Sequence, residues 1–123
     1  VRIITPGIPD KKMVFLLTQS YYEQLISAGV RIYEYTPGFI HAKNFVCDDE
    51  FAVVGTINLD YRSLYLHFEC GVWMYQCQAV SQVKEDMLRT FEISEEIPLD
   101  WCLKQNVLRR AGQSILRLFA PML

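Results

Sequence analysis

A histidine and a lysine two positions apart, His41 and Lys43, are followed by Asp48, so that the chain spells H-x-K-x4-D. On an extended strand, residues two apart project from the same face, which would set an imidazole and an ammonium side by side over one pocket. That pair suits a phosphodiester. A neutral imidazole can attack phosphorus, or an imidazolium can protonate the leaving alkoxide, while the lysine cation balances charge on the phosphoryl oxygens. Alone the pattern is weak, because a single histidine on an apolar strand is more often a core residue. Gly55-Thr56-x-Asn58 adds weight to it. Thr56 and Asn58 again share side-chain parity, and a hydroxyl and an amide can donate to phosphoryl oxygens as negative charge grows in the transition state. Glu69 then falls inside an apolar run, where an ionised carboxylate is costly unless partnered. The expected partner is a histidine Nδ1–H, which would fix the tautomer and leave Nε2 for chemistry. An ion pair with Arg62 or Lys43 is the alternative.

The elements that must carry these residues alternate. Residues 1–5 read as a strand closed by Pro6 and Gly7, and Asp10 is the expected cap of a helix over residues 11–28, ended by Gly29. Residues 30–35 read as a strand, Pro37-Gly38 as a turn, and residues 39–47 as an apolar strand. A turn at residues 48–50 and a strand at 51–54 complete a hairpin. Residues 55–63 are rich in loop formers, 68–75 form another apolar strand, and 79–91 have helical spacing. Interleaved strands and helices predict an α/β fold in layers. From Pro98 the pattern becomes helical, with residues 93–100 as the one linker-like stretch. The division expected is a domain over residues 1–97 and an amphipathic helical tail over residues 98–123. In that tail Val107, Leu108, Ala111, Ile115, Leu118 and Phe119 recur at three- and four-residue steps.

Composition limits the classes open to such a site. With 123 residues, 51% of them hydrophobic, one core can form but not two independent ones. A net charge of −2 argues against a nucleic-acid binder with a broad basic face. All 14 Asp and Glu precede residue 101, whereas Lys104, Arg109, Arg110 and Arg117 leave the tail purely cationic. A cationic helix with an apolar stripe is the pattern of one lying in an anionic lipid surface, with packing on the body as the competing reading. Cys47, Cys70, Cys77 and Cys102 form no C-x-x-C pair and suggest no zinc site. Most lie in apolar runs, where buried free thiols and a reducing, cytosol-facing setting are expected. Tyr21, Tyr22, Trp73 and Trp101 are expected as core or rim aromatics. No run is long enough for a membrane span, and Val1 opens directly on a strand-like run, so the chain reads as a piece of a longer protein.

The order and spacing of His41, Lys43, Asp48, Gly55, Thr56, Asn58 and Glu69 resemble the phospholipase D superfamily. Within it the surrounding wording is similar to bacterial cardiolipin synthases: Ser20-Tyr21-Tyr22-Glu23 with Leu25, Ala28-Gly29-Val30, Ile32-Tyr33-Glu34-Tyr35, Pro37-Gly38-Phe39, Asn58-Leu59-Asp60-Tyr61-Arg62-Ser63 and Pro121-Met122-Leu123. The resemblance covers essentially the whole chain. It implies a phospholipase D-like mixed sheet flanked by helices, and a two-motif enzyme in which each half gives one His, one Lys and one Asn to a shared site. One histidine would become a phosphohistidine, and the other, the role the resemblance gives more often to His41, would serve as acid and then base. Asp48 would hold the hairpin turn. Two lysines with Asn and Thr donors would stand in for a metal, and no cofactor is implied. The implied reaction transfers a phosphatidyl group between two phosphatidylglycerol molecules, giving cardiolipin and glycerol at a bacterial cell membrane, with the catalytic part facing the cytoplasm. The implied partners are phosphatidylglycerol, an anionic membrane surface and the N-terminal half with its own motif, with self-association of the exposed surface also expected and no nucleic acid. Two other classes stay open: a phosphodiesterase or nuclease that completes its site by dimerising, and a catalytically inert interaction domain.

Overall fold

The computed structural model describes residues 1–122. Leu123, the last residue of the expected tail and of the terminal Pro121-Met122-Leu123 wording, lies outside the described residues. The chain forms two compact units, residues Val1–Ile40 with Ile93–Leu123, and His41–Glu92. Residues 98–123, expected as the helical tail, fall in the first of these units.

The first unit carries a mixed three-stranded sheet. Strand β1 (Arg2–Pro6) pairs in parallel with β2 (Arg31–Tyr35). The connection between them is helical, as parallel strands require. It comprises α1 (Lys12–Ser20) and α2 (Tyr22–Ser27), interrupted at Tyr21. Asp10 does not cap it. Lys11 holds the cap position, with no side-chain bond. At the other end the stop is a Schellman arrangement: Gly29 at φ 89° places its own N–H on the Ile26 carbonyl and that of Val30 on Leu25. A β-carbon there would be strained, which is why the helix ends on glycine.

Tyr22, Ile32, Ile97 and Cys102 form the buried cluster of this unit, with Leu25, Ile26, Val30 and Trp101 against it. The Tyr22 hydroxyl is kept satisfied inside, donating to Glu34 at 3.0 Å and sharing a 2.7 Å bond with Thr5. Burial pushes its pKa up. Residues 93–100, expected as a linker, instead place β6 (Glu95–Glu96) antiparallel on β2. Arg31 grips Glu96 with two nitrogens at 2.8 and 2.7 Å, which holds that carboxyl below its usual range. Two helices follow, α4 (Leu99–Leu103) and α5 (Val107–Leu118), the second capped by the Asn106 side chain on the Leu108 amide.

The amphipathic helix α5 packs on α1 with its polar side inward. Arg109 donates to Gln19 at 2.6 Å, Arg117 to Ser20 at 3.0 Å, and Arg110 pairs with Glu23 of α2 at 2.9 Å. Arg109 also lies over the Trp101 ring and Arg117 over that of Tyr21. Val107, Leu108, Ile115 and Leu118 are exposed. Sequence periodicity located the stripe but could not say which side would meet the body. Polar partners already waiting on α1 and α2 decided it.

The second unit is an antiparallel sheet, β3 (Asn44–Cys47), β4 (Phe51–Gly55) and β5 (Gly71–Tyr75), with α3 (Gln78–Glu92) against all three strands. Ala52 and Val80 are fully buried within it. On the opposite face Phe51, Trp73 and Tyr75 stack, with ring centroids 4.8 to 6.2 Å apart, and Trp73 is two-thirds exposed. All four cysteines are free, as expected, but only Cys102 is buried.

The candidate functional site

Each motif residue belongs to the second unit, and the β3–β4–β5 sheet sets their places. His41 and Lys43 were expected on a strand. They lie instead in the segment leading into β3, which begins at Asn44. The ladder still reaches one residue further, since the Gly55 amide donates to the Lys43 carbonyl at 3.2 Å. The Lys43 ammonium folds back to the carbonyl of His41 at 2.8 Å, which ties the two motif residues together and leaves N–H donors for an anion. His41 is exposed.

Asp48 stands at the other end of the hairpin. It and Asp49 hold φ of 50° and 61° in a turn closed by the Glu50 amide on the Cys47 carbonyl at 3.1 Å. Aspartate tolerates that conformation better than most residues. Asp49 is anchored to Lys84 of α3 at 2.6 Å. A strand of four or five residues separates this turn from Gly55, roughly 13–17 Å at about 3.3 Å per residue, so Asp48 is remote from the other motif side chains.

Gly55 is paired across the sheet with Gly71. A β-carbon at Gly55 would lie 2.6 Å from the Gly71 Cα and closer still to the Cys70 carbonyl oxygen. The motif glycine is there because two backbones approach too closely for any side chain. That approach lets the Thr56 amide donate to the Cys70 carbonyl at 2.9 Å, while the Cys70 amide donates to the Thr56 hydroxyl at 3.1 Å.

With one lone pair so held, the Thr56 hydroxyl donates to Glu69 in a short bond. Its single proton is therefore directed at a carboxylate rather than at a phosphoryl oxygen, and the expected direct role of Thr56 becomes an indirect one. Glu69 itself sits in the segment before β5, half-buried, not within a strand. Hydroxyls hold it, where the sequence reading expected an imidazole: Thr56 first and then Ser63, with the charges of His67 and Lys43 adding to them. Together they keep its carboxyl below the usual glutamate range, against a partial opposing effect of burial.

Asn58 joins from below. Its side-chain amide donates to the Ser63 hydroxyl at 3.4 Å, a long bond, and the Ser63 amide is capped by Asp60 at 2.7 Å. The following residues, Arg62–Leu66, form a π-helical turn closed by the His67 amide on the Arg62 carbonyl at 2.8 Å. Such turns are uncommon and recur at functional sites. Arg62 does not pair with Glu69. Its Nε donates to His67 Nε2 at 3.0 Å. Ser63, Arg62 and His67 were not singled out as site residues. The signal that could have found Ser63 is the Asp60-x-x-Ser63 spacing, a capping pattern directly after the motif asparagine.

The result is a polar corner at one end of a small sheet: an accessible imidazole, an ammonium tied to the same segment, and an ionised carboxylate fixed by two hydroxyls. This combination can bind an anionic ester and move protons at it. Around it Leu59, Leu64, Tyr65, Leu66 and Phe68 are exposed, an apolar rim beside the polar corner.

The family described as "Cardiolipin synthase, PLD-like domain" matches residues 1–91. An uncharacterized protein of Streptococcus mutans is 49% identical over the whole chain, which spans 27% of that protein. Cardiolipin synthase 2 of Bacillus anthracis is 39% identical, and cardiolipin synthase of Geobacillus kaustophilus 38%, again over the whole chain and 24% of each relative. The chain thus spans about a quarter of the length of the curated relatives it matches. No solved structure matches. With the family match covering most of its length and the motif gathered in one unit, this chain belongs to the phospholipase D-like domain family of cardiolipin synthases.

Proposed function

We propose that the chain supplies one half of a two-motif site that transfers a phosphatidyl group from one phosphatidylglycerol to a hydroxyl of another, giving cardiolipin and glycerol. The observation that carries this reading is the grouping of His41, Lys43, Thr56, Asn58 and Glu69 in a single small unit, with Lys43 bonded to the His41 backbone and Thr56 to Glu69. In the first step a histidine of the complementary half attacks phosphorus, the P–N bond forms, and the P–O bond to glycerol breaks as His41 protonates the departing alkoxide. In the second, His41 takes the proton of a headgroup hydroxyl on the second phosphatidylglycerol, whose oxygen bonds to phosphorus as the P–N bond to the histidine breaks. Lys43 and Asn58 hold the phosphoryl oxygens. Glu69, its carboxyl held below the usual range by its hydroxyl donors, supplies a fixed negative charge near Lys43. One imidazole cannot be nucleophile and leaving-group acid in the same in-line displacement, so the chain alone is silent.

The complementary half, phosphatidylglycerol and a bacterial membrane surface reached from the cytoplasm are the proposed partners and setting. The exposed apolar stripe of α5 alters how such a surface would be met. With all three of its cations engaged by α1 and α2, binding would rest on apolar insertion, so vesicle binding should survive raised salt. The test of function is radiolabelled phosphatidylglycerol supplied to a chimera in which this chain replaces the matching quarter of the Geobacillus relative, with plasmid DNA as the rival substrate. Cardiolipin and glycerol in equal amounts support the reading; DNA cleavage without lipid transfer refutes it.

A further inference from the structure

Helices α1, α2 and α5 meet through polar side chains, and a cavity of about 300 Å³ is left among them. Its lining includes Gln19, Ser20, Glu23, Arg110, Gln113 and Arg117. Every one of these residues belongs to the first compact unit, whereas the motif residues belong to the second.

Around its charged groups the hydrogen-bonding balance is uneven. Gln19 Oε1 accepts from Arg109, the Ser20 hydroxyl from Arg117, and both Glu23 oxygens from Arg110, while Gln19 and Ser20 themselves donate to Glu34 and to the Leu17 carbonyl. The donors of Arg110, Arg117 and Gln113 are only partly used. Arg117 uses Nε alone, and Arg110 uses one terminal nitrogen. Gln113 is only 7% exposed, and its Nε2 has no hydrogen-bond partner among the described residues. A buried amide donor without a partner is rare in folded proteins, because burial removes its water and returns nothing. Two arginines against one glutamate also leave the lining with a surplus positive charge.

A ligand that answers this set brings several acceptor oxygens and negative charge, which is the description of a phosphate group. Arginine's planar fork matches its paired oxygens. The volume sets the upper limit, since about 300 Å³ is at the small end of ligand pockets. It admits a phosphate with a substituent of glycerol size but not a whole phospholipid. We propose that this cavity binds a phosphate ester no larger than a lipid headgroup, at a site separate in residues from the transfer motif. The assignment stands independently of the proposed transfer reaction.

The test uses the 123-residue chain with inorganic phosphate and glycerol 3-phosphate by calorimetric titration, and with phosphatidylglycerol and phosphatidylcholine vesicles by co-sedimentation. Saturable binding of the soluble ester is expected, weakened at least about tenfold by Arg117→Gln and by Gln113→Leu. Gln113→Leu removes the orphaned donor, so its melting temperature should equal or exceed that of the parent chain, and lost binding cannot then be laid to unfolding. If the natural source is a lipid headgroup, phosphatidylglycerol vesicles should bind, release on adding glycerol 3-phosphate, and weaken in the same two variants. If it is a free ester, the titration responds, and any vesicle binding through the α5 stripe is unchanged by glycerol 3-phosphate and by the two variants. No saturable binding of either kind, or binding unchanged in both variants, overturns the site.

Discussion

Replacing Gly55 by alanine puts a methyl group where two backbones already touch. The new carbon would stand 2.6 Å from the Gly71 Cα, and closer to the Cys70 carbonyl, against ordinary contacts of about 3.5–4.0 Å. No flexible side-chain end can yield there, so β4 and the segment before β5 must part by about 1 Å. That parting stretches the two bonds that fix Thr56, its amide to Cys70 and the Cys70 amide to its hydroxyl. Each contributes about 1 kcal/mol, and overpacking adds about 1–3 kcal/mol, for a total of roughly 3–5 kcal/mol. Two further glycines serve as scale. Gly29→Ala meets no atoms but must hold φ 89°, costing about 1–2 kcal/mol, while Gly112→Ala in open space within α5 should stabilise by about 0.5–1 kcal/mol. Urea denaturation of the three variants should rank them Gly112→Ala, parent, Gly29→Ala, Gly55→Ala. A Gly55→Ala chain within about 1 kcal/mol of the parent, or more stable than Gly29→Ala, would refute the close-approach argument.

Thr56→Val removes the first donor to Glu69, so a carboxyl-carbon titration should show the Glu69 pKa rising toward the ordinary value of about 4.3. Because that pKa is depressed in the folded chain, the stabilisation it brings is present above about pH 4.3 and lost as pH falls through the folded value. The variant's deficit against the parent should therefore shrink in acid, and a deficit that grows there would contradict the assignment. Thiol labelling with iodoacetamide should reach Cys70 and Cys77 first. Cys47 should follow, its thiol raised by the hydrogen bond to Asp48 and that residue's charge, and Cys102, raised by burial, should react at least about tenfold more slowly than the exposed pair until the chain unfolds.

Much of this was legible in the residues themselves. The β3–β4 hairpin, the glycine stop after α2 and the helical pattern over Gln78–Glu92 follow from local rules that tertiary packing did not override. So did the motif order, because its spacing is fixed by the turn at Asp48 and the close pass at Gly55. What escaped is what depends on neighbours. The strand holding His41 proved shorter than its apolar run, since only Asn44–Cys47 finds a full partner in β4. Glu69 gained hydroxyl partners because the π-helical turn delivers Ser63, and no pattern of apolar residues announces such a turn. The inward-facing cations of α5 were equally invisible, for a helical stripe says which residues share a side and nothing about which side is covered. Cys47 and Cys70 lie in apolar wording yet reach the surface, because a three-stranded sheet with one helix covers one face only.

The claim at the centre of this account is that His41 moves the proton during phosphatidyl transfer. Its most direct test is the rate of cardiolipin formation by the Geobacillus chimera with and without His41→Asn, a change at an exposed position that should leave the melting temperature almost unaltered. Loss of general acid–base catalysis should lower the rate about 10²–10⁴-fold. A variant that keeps more than about a tenth of the parent rate, with the fold intact, would contradict it.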